Sequence, residues 1–212
     1  ILYRFLSPEE MADVFEALDL EDDEYEGFLS EMDTSYGAAM LSFMYTDDAV
    51  DVLNELDENQ RESYLEMMDT ETVQEINELL AYPEYTAGAI MTTEYVSITE
   101  LSTVRSAMAV LRKKAPDAET IYYLFVVNEM HQLTGVLSLR DLIISDEDCL
   151  VRDIMSERVV SVNVSEDQEA VAHIIKDYNF LAIPVISDEK ELLGIITVDD
   201  IIDVIDEEAE DD

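Results

Sequence analysis

The heptapeptide Gly135-Val-Leu-Ser-Leu-Arg-Asp141 returns 59 residues later as Gly194-Ile-Ile-Thr-Val-Asp-Asp200. In both copies a glycine opens a short apolar run, which contains a hydroxyl residue followed three positions later by an aspartate. This order is typical of a strand that leads into a helix, because Ser, Thr and Asp bond the free N–H groups at a helix start. The two copies therefore predict a duplicated unit.

The duplication extends to the N-terminal side of each heptapeptide. Residues 90–91 and 95–98 are matched by residues 154–155 and 159–162, and residues 125–127 are matched by residues 184–186. Each copy has the pattern strand, helix, strand, turn, strand, helix. Because a single unit of about 60 residues has only a marginal core, we expect the two copies to pack together.

The first part of the chain follows a helical pattern. Residues 1–81 lack a β-branched run and carry apolar residues at spacings of three and four. This spacing predicts helices over Leu6–Leu18, Thr46–Leu56, Glu58–Met68 and Thr70–Leu80. Ser7 followed by Pro8 marks a helix start, and Pro83 ends the pattern. The last three helices repeat about every 12 residues, which predicts a small stacked superhelix.

The net charge excludes one class of partner. The chain has 52 Asp and Glu against 11 Lys and Arg, for a formal net charge of −41. Residues 1–85 hold 25 acidic residues against only Arg4 and Arg61. A hydrophobic fraction of 48% is too high for a disordered acidic tail, so we expect the acidity on folded surfaces. Such surfaces repel nucleic acid.

Other signals are sparse. Cys149 is the only cysteine, which excludes an intramolecular disulfide and fits a reducing compartment. No apolar run reaches membrane-spanning length, and no signal peptide precedes the first helix. His131 and His173 lack partners at metal-ligand spacing, and catalytic glycine motifs are absent, so we expect no enzymatic activity. Because the sequence starts with Ile and stops in an acidic run, we expect a piece of a longer chain.

The duplicated unit resembles a tandem pair of CBS domains. Three further strings carry a narrower resemblance: Tyr82–Val96, Asp117–Tyr123 and Gly194–Val204. With a helical domain in front, they resemble the cytosolic region of MgtE-type magnesium channels or transporters. The resemblance implies an α+β fold with four parts: an acidic helical superhelix domain at 1–85, a first CBS domain at 86–148, a second at 149–206, and the start of a connecting plug helix at 207–212.

Acidic residues at the last helix suggest a cation site. Asp200, Asp203 and Glu207 share one helix face, and like charges at such spacing destabilise a helix unless a cation binds. The alternative is helix capping, which accounts well for Asp199. The family resemblance implies a set of Mg²⁺ ligands: Asp47, Asp51, Gly88, Asp167, Glu169, Asn179, Asp200, Asp203, Glu208 and Asp211. Asn179 stands where the family pattern has aspartate. Magnesium prefers such oxygen ligands.

The same motif suggests a nucleotide. In related CBS pairs the hydroxyl residue and the aspartate hold the ribose of an adenine nucleotide such as ATP. The resemblance transfers this role to Ser138, Asp141, Thr197 and Asp200. The alternative is that these residues only end a strand and cap the next helix. Arg140 and the run 112–114 are the nearest positive candidates for phosphate.

Three functions follow from these patterns. The resemblance implies a homodimeric Mg²⁺ sensor at the cytoplasmic face of the plasma membrane, which gates the transmembrane pore of its own full-length protein. Magnesium would bridge the acidic helical and CBS domains, and low magnesium would release them. The first alternative is an adenine-nucleotide-sensing CBS module of another protein. The second is a scaffold with a salt-adapted acidic surface.

Overall fold

The computed structural model describes residues 2–18 and 22–211. The side chains of Leu2, Asp22, Asp23, Glu26, Asp203 and residues 206–211 lie outside this description. The chain divides into two compact units, Ile1–Tyr82 and Pro83–Asp212.

The first unit is helical, as the sequence predicts. After a 3-10 turn at Leu2–Arg4, its helices are α1 (Pro8–Glu16), α2 (Asp22–Ser30), α3 (Thr34–Leu41), α4 (Thr46–Asn54), α5 (Glu58–Leu65) and α6 (Thr70–Leu80). From α2 onward each helix begins 12 residues after the previous one. Helix α1 packs on α3, α3 on α5, and α4 on α6. The 12-residue repeat that the sequence predicts for the last three helices therefore also includes α2 and α3, which the sequence did not predict. The three contacts each join a helix to the next but one.

Local signals set the helix ends. Ser7 starts α1 in a reciprocal capping box with Glu10, and Asp69 starts α6 by accepting the N–H groups of Glu71 and Thr72. Helix α3 has no clear apolar stripe, and its Gly37 lies under the ring of Tyr64, where a Cβ would come within 2.8 Å of the ring. The predicted ends of α1, α4 and α5 were two to three residues too late, since helix termini fray.

The second unit contains two similar sheets with covering helices. Its elements are β1 (Ser97–Thr99), α7 (Val104–Lys114), β2 (Tyr123–Val127), β3 (Leu133–Ser138), α8 (Leu139–Ile144), α9 (Val151–Ile154), β4 (Val162–Asn163), α10 (Gln168–Tyr178), β5 (Ala182–Ile186), β6 (Leu192–Thr197) and α11 (Val198–Asp211). A 3-10 turn at Ala115–Asp117 follows α7.

The two sheets confirm the duplication. In each sheet the first strand is parallel to the second, and the second is antiparallel to the third. The register shifts at equivalent points, between Val126 and Val127 and between Val185 and Ile186. The turn residues His131 and Lys190 also correspond, and both have positive φ.

The two copies pack together, as the sequence predicts. Residues from both copies form one buried cluster: Phe125, Val127, Ala182, Leu192 and Ile195. Thr92 of the first copy pairs with Ile195 of the second. This pairing explains the repeated glycine, because a Cβ at Gly194 would lie 2.6 Å from the Thr92 carbonyl oxygen. Within the described ranges, no helix has the length and apolar character needed to cross a membrane.

Candidate metal centre and repeated cleft

The start of α11 holds a compact hydrogen-bonded group. The Thr197 N–H donates to the Asp200 carboxylate at 3.0 Å, and the Thr197 hydroxyl lies 2.7 Å from the same carboxylate. The Asp199 carboxylate also accepts from this hydroxyl. Because α11 begins at Val198, Asp199 lies within its first turn, and the carboxylate that bonds the backbone is that of Asp200. The expectation that Asp199 is the capping residue is therefore corrected.

Glu119 brings a second carboxylate to Asp200. It follows the 3-10 turn after α7, and its N–H donates to the Glu94 carbonyl at 2.9 Å. Carboxylate oxygens of Glu119 and Asp200 lie within 4.8 Å of each other. At such a distance and an effective dielectric of about 20, two negative charges repel by roughly 3 kcal/mol. Both residues are partly buried, so water screens this repulsion incompletely.

The pair suits a hard divalent cation. Magnesium keeps several of its waters and binds one or two carboxylates, and calcium takes six to eight oxygens in a flexible geometry. A cation between the two oxygens attracts both of them, and these attractions outweigh their mutual repulsion. Glu119 is not among the ligands predicted from the sequence, because it has no acidic neighbour at helical spacing. The string Asp117–Tyr123 gave the only signal for it.

Other predicted ligands fall into two groups. Asp47 and Asp51 both lie on α4, where Asp47 is buried and Asp51 is exposed. Gly88 and Asp167 lie on neighbouring segments of the second unit, because Thr86 pairs with Asp167 and the Gly88 N–H donates to the Val164 carbonyl at 2.9 Å. The structure therefore brings together two candidates that are far apart in the sequence.

The remaining predicted metal ligands of the second copy that the structure describes lie at the two ends of helix α10. Asp167 precedes this helix and accepts the N–H of Glu169 at 3.0 Å, while the Glu169 side chain is exposed. Asn179 ends the helix with φ 55° and ψ 44°, a left-handed conformation that asparagine tolerates well. Capping thus accounts for Asn179 without a metal. The side chains of Asp203, Glu208 and Asp211 are outside the described residues.

The first copy has a cavity at the equivalent heptapeptide. The Ser138 hydroxyl lies 2.6 Å from the Asp141 carboxylate and accepts the Asp141 N–H at 3.0 Å. A cavity of about 450 Å³ adjoins it, lined by Tyr122, Tyr123, Ser138, Leu139, Arg140, Ile143, Ile144 and Leu181. Small-molecule sites usually have volumes of about 300–1,000 Å³. Leu181 comes from the second copy, so both copies form the wall.

The two repeated clefts differ in charge. When the two copies are aligned by the 59-residue shift, Arg140 of the first copy corresponds to Asp199 of the second, and Glu119 corresponds to Tyr178. The cavity beside Ser138 therefore has a guanidinium and aromatic rings, whereas the group around Thr197 has carboxylates. The first favours an anion that carries a ring system, and the second favours a cation.

These features define the class. Two strand–helix units with a shared core, each ending in a hydroxyl–aspartate pair, and a separate helical domain are the architecture of a tandem CBS protein with an N-terminal helical domain. The CBS domain family matches residues 87–147 and 151–207. The MgtE intracellular N domain family matches residues 1–85.

The chain belongs to the MgtE family of magnesium transporters. It is 56% identical to the magnesium transporter MgtE of Enterococcus faecalis over 211 residues, which are 100% of this chain and 47% of that protein. It is 44% identical to the MgtE of Thermus thermophilus over 165 residues, covering 78% and 37%. The chain thus spans less than half of each of these curated relatives.

Two solved structures support this assignment. The soluble part of a magnesium transporter is 56% identical and aligns with a TM-score of 0.95, covering 98% of this chain and 81% of that one. The cytosolic domain of the Mg²⁺ channel MgtE in complex with ATP is 34% identical and aligns with a TM-score of 0.85, covering 96% and 92%. The predicted α+β fold with a tandem CBS pair is confirmed.

Proposed function

We propose that this chain is the Mg²⁺-sensing regulatory region of a magnesium transporter. The observation that carries the proposal is the approach of the Glu119 and Asp200 carboxylates to within 4.8 Å. This pair is less stable without a cation than with one. Because the pair lies in the second unit of an MgtE-family chain, binding of an ion there would couple the ion concentration to the conformation of this unit.

The charge of the whole chain supplies the driving force. With 25 acidic residues in positions 1–85 and a net charge of −41 overall, the chain repels itself when cations are scarce. Plentiful Mg²⁺ binds carboxylates of the helical and CBS domains and favours a compact region that keeps the pore closed. Falling Mg²⁺ restores the repulsion, and the helix α11 transmits the change towards the pore.

Titration with Mg²⁺ tests this function. Calorimetry should show more than one bound ion, and small-angle scattering should show a smaller radius of gyration in millimolar Mg²⁺. The control is NaCl at matched ionic strength. Equal compaction in both salts would reject the sensor and favour a general acidic, salt-adapted scaffold.

A second function is adenine-nucleotide binding at the Ser138 cavity. The cavity volume of about 450 Å³ and the presence of Arg140 favour it, and a related MgtE cytosolic domain is known in complex with ATP. The hydroxyl–aspartate pair Ser138–Asp141 offers oxygens for a ribose. Thr197 and Asp200 form the equivalent pair, but the neighbouring Asp199 and Glu119 oppose phosphate there. We therefore expect one ATP per chain.

The family assignment also suggests the setting. In the full-length protein we propose a homodimer formed through the CBS domains at the cytoplasmic face of the membrane, attached to its own transmembrane pore. Exposed apolar side chains on α8 and α11, including Ile143, Ile144 and Ile202, are available for such an interface. Light scattering after size exclusion tests it, and a monomer at micromolar concentration would contradict it.

A further inference from the structure

A second cavity lies in the CBS pair and shares no lining residue with the Ser138 cavity. Its volume is about 200 Å³. Leu133, Val159 and Ile186 provide its apolar wall. Its polar lining includes Ser161, Glu157 and Lys190. Neither of the functions proposed above uses this cavity.

The equivalent space in the first copy is filled by a tyrosine. The 64-residue match that aligns Ile98 with Val162 also aligns Tyr95 with Val159. The Tyr95 hydroxyl donates to the Leu192 carbonyl at 3.2 Å and lies 3.4 Å from Nε2 of His131. The Tyr95 ring contacts Phe125 edge to face, with centroids 6.4 Å apart. The first copy therefore holds a complete phenol group, the Tyr95 side chain, in a slot formed by Phe125, His131 and Leu192.

The two slots are built from matching backbone. In the first, the Leu192 N–H donates to the His131 carbonyl at 3.0 Å; in the second, the Leu133 N–H donates to the Lys190 carbonyl at 2.9 Å. Leu133 and Lys190 of the cavity are thus the counterparts of Leu192 and His131, the two residues that contact the Tyr95 hydroxyl.

The residues around the filled slot are more deeply buried than their counterparts around the open slot. Leu192 is 2% exposed and Val127 is 4% exposed. Their counterparts Leu133 and Ile186 are only partly buried. Val159 is too short to cover them, because it lacks the ring that Tyr95 places in the first slot.

We propose that the cavity beside Val159 binds a small phenol, whose ring occupies the place that Tyr95 fills in the first copy. The phenolic hydroxyl donates to the Leu133 carbonyl and accepts from the Lys190 ammonium, which stands where His131 stands in the other slot. Size permits this ligand, since an engineered cavity of about 150 Å³ binds benzene. Ser161 and Glu157 add polar groups that discriminate against purely aliphatic ligands.

The probe is p-cresol, the side chain of tyrosine as a free molecule. Ligand-observed NMR and calorimetry should show saturable binding of one p-cresol per chain, and toluene should bind at least tenfold more weakly. Val159→Tyr should abolish the binding and raise the melting temperature, and Val159→Phe provides a second variant that fills the ring space. Val110→Tyr, on the exposed part of α7, is the matched control and should leave binding unchanged.

The first slot gives an independent measurement. Tyr95→Val should open a second cavity, raise the stoichiometry to two, and be stabilised by p-cresol more than the parent chain is. No saturable binding at millimolar p-cresol, or equal binding by the parent chain and both filled variants, would overturn the proposal. These outcomes are independent of Mg²⁺ and ATP, so they leave the proposed functions unaffected.

Discussion

Carboxylate oxygens of Glu119 and Asp200 lie within 4.8 Å of each other, although the residues are 81 positions apart in the sequence. Glu119 follows α7 of the first CBS unit, and Asp200 begins α11 of the second. The candidate cation site is therefore a product of the packing of the two copies. Conditions that separate the copies would also destroy the site.

Neutralising Glu119 should have opposite effects with and without magnesium. Glu119→Gln removes this repulsion, and because solvent screens part of it at these partly buried side chains, we expect the Mg²⁺-free protein to gain about 1 kcal/mol of unfolding free energy. The same change removes a ligand, so Mg²⁺ affinity should fall on the order of tenfold, or about 1.4 kcal/mol. Urea unfolding at several Mg²⁺ concentrations measures both effects.

Asp117→Asn is the matched control for this prediction. It removes the same charge two residues away at an exposed position. It should change neither the Mg²⁺-free stability nor the Mg²⁺ affinity by more than about 0.5 kcal/mol. If both variants behave alike, the effect comes from net charge, and the Glu119–Asp200 site is rejected.

Arginine at position 140 should decide which cleft binds nucleotide. Arg140→Asp gives the first cleft the residue that the second copy has at Asp199, so we expect ATP to lose its stabilising effect, with affinity at least tenfold lower. Thermal unfolding with and without ATP measures this. Arg158→Asp changes the same charge at an exposed position in the second copy and should keep most of the ATP effect. Equal losses in both variants would indicate nonspecific attraction of phosphate.

The repeated glycine gives a prediction about packing. Gly194→Ala would place a Cβ 2.6 Å from the Thr92 carbonyl oxygen, where backbone must move, so we expect a loss of about 1–3 kcal/mol. Gly27→Ala is the control, because a Cβ there has no neighbour within 4 Å and α2 should gain about 0.5–1 kcal/mol. Chemical denaturation gives both values. A stabilised Gly194→Ala variant would contradict the close approach of the two copies.

The sequence predicted the fold well because most of its signals are local. The spacing of apolar residues, Ser7 and Asp69 at helix starts, and the repeated heptapeptide each act within a few residues of the element that they define. Duplication then implied that the copies pack together. Helix α3 was not predicted from the sequence, because it has no clear apolar stripe and packs through tertiary contacts such as that of Gly37 with Tyr64.

The candidate site was harder to predict because it depends on distant residues. Asp200 was found from its helical neighbours and the family resemblance, whereas Glu119 joins it only through the packing of the two copies. The different charges of the clefts were present in the sequence, at Arg140 and Asp199. The open slot beside Val159 could not be predicted from the sequence. It is recognised only when the structure of the second copy is compared with that of the first, where the ring of Tyr95 fills the equivalent slot.

Tyr95 should titrate at unusually high pH. Burial, and then the charge of Glu191, raise its pKa to about 12. Because the folded pKa is above the unfolded value of about 10, the associated stability is fully present below pH 10 and is lost as the pH rises towards 12. Ultraviolet titration of tyrosinate should show one fewer late-ionising group in Tyr95→Phe than in the parent chain, with the missing group titrating at about pH 12.

The same variant separates the hydroxyl from the ring. Tyr95→Phe keeps the ring in its slot but removes the hydrogen bond to the Leu192 carbonyl, so we expect a loss of about 1 kcal/mol at neutral pH. It should also remove part of the alkaline decrease in stability. Tyr122→Phe, at a side chain that is 63% exposed, should retain the late-ionising group and the parent stability. A Tyr95→Phe variant whose alkaline unfolding profile matches the parent would show that this hydroxyl is not buried, and would remove the structural basis for a hydroxyl donor in the equivalent slot.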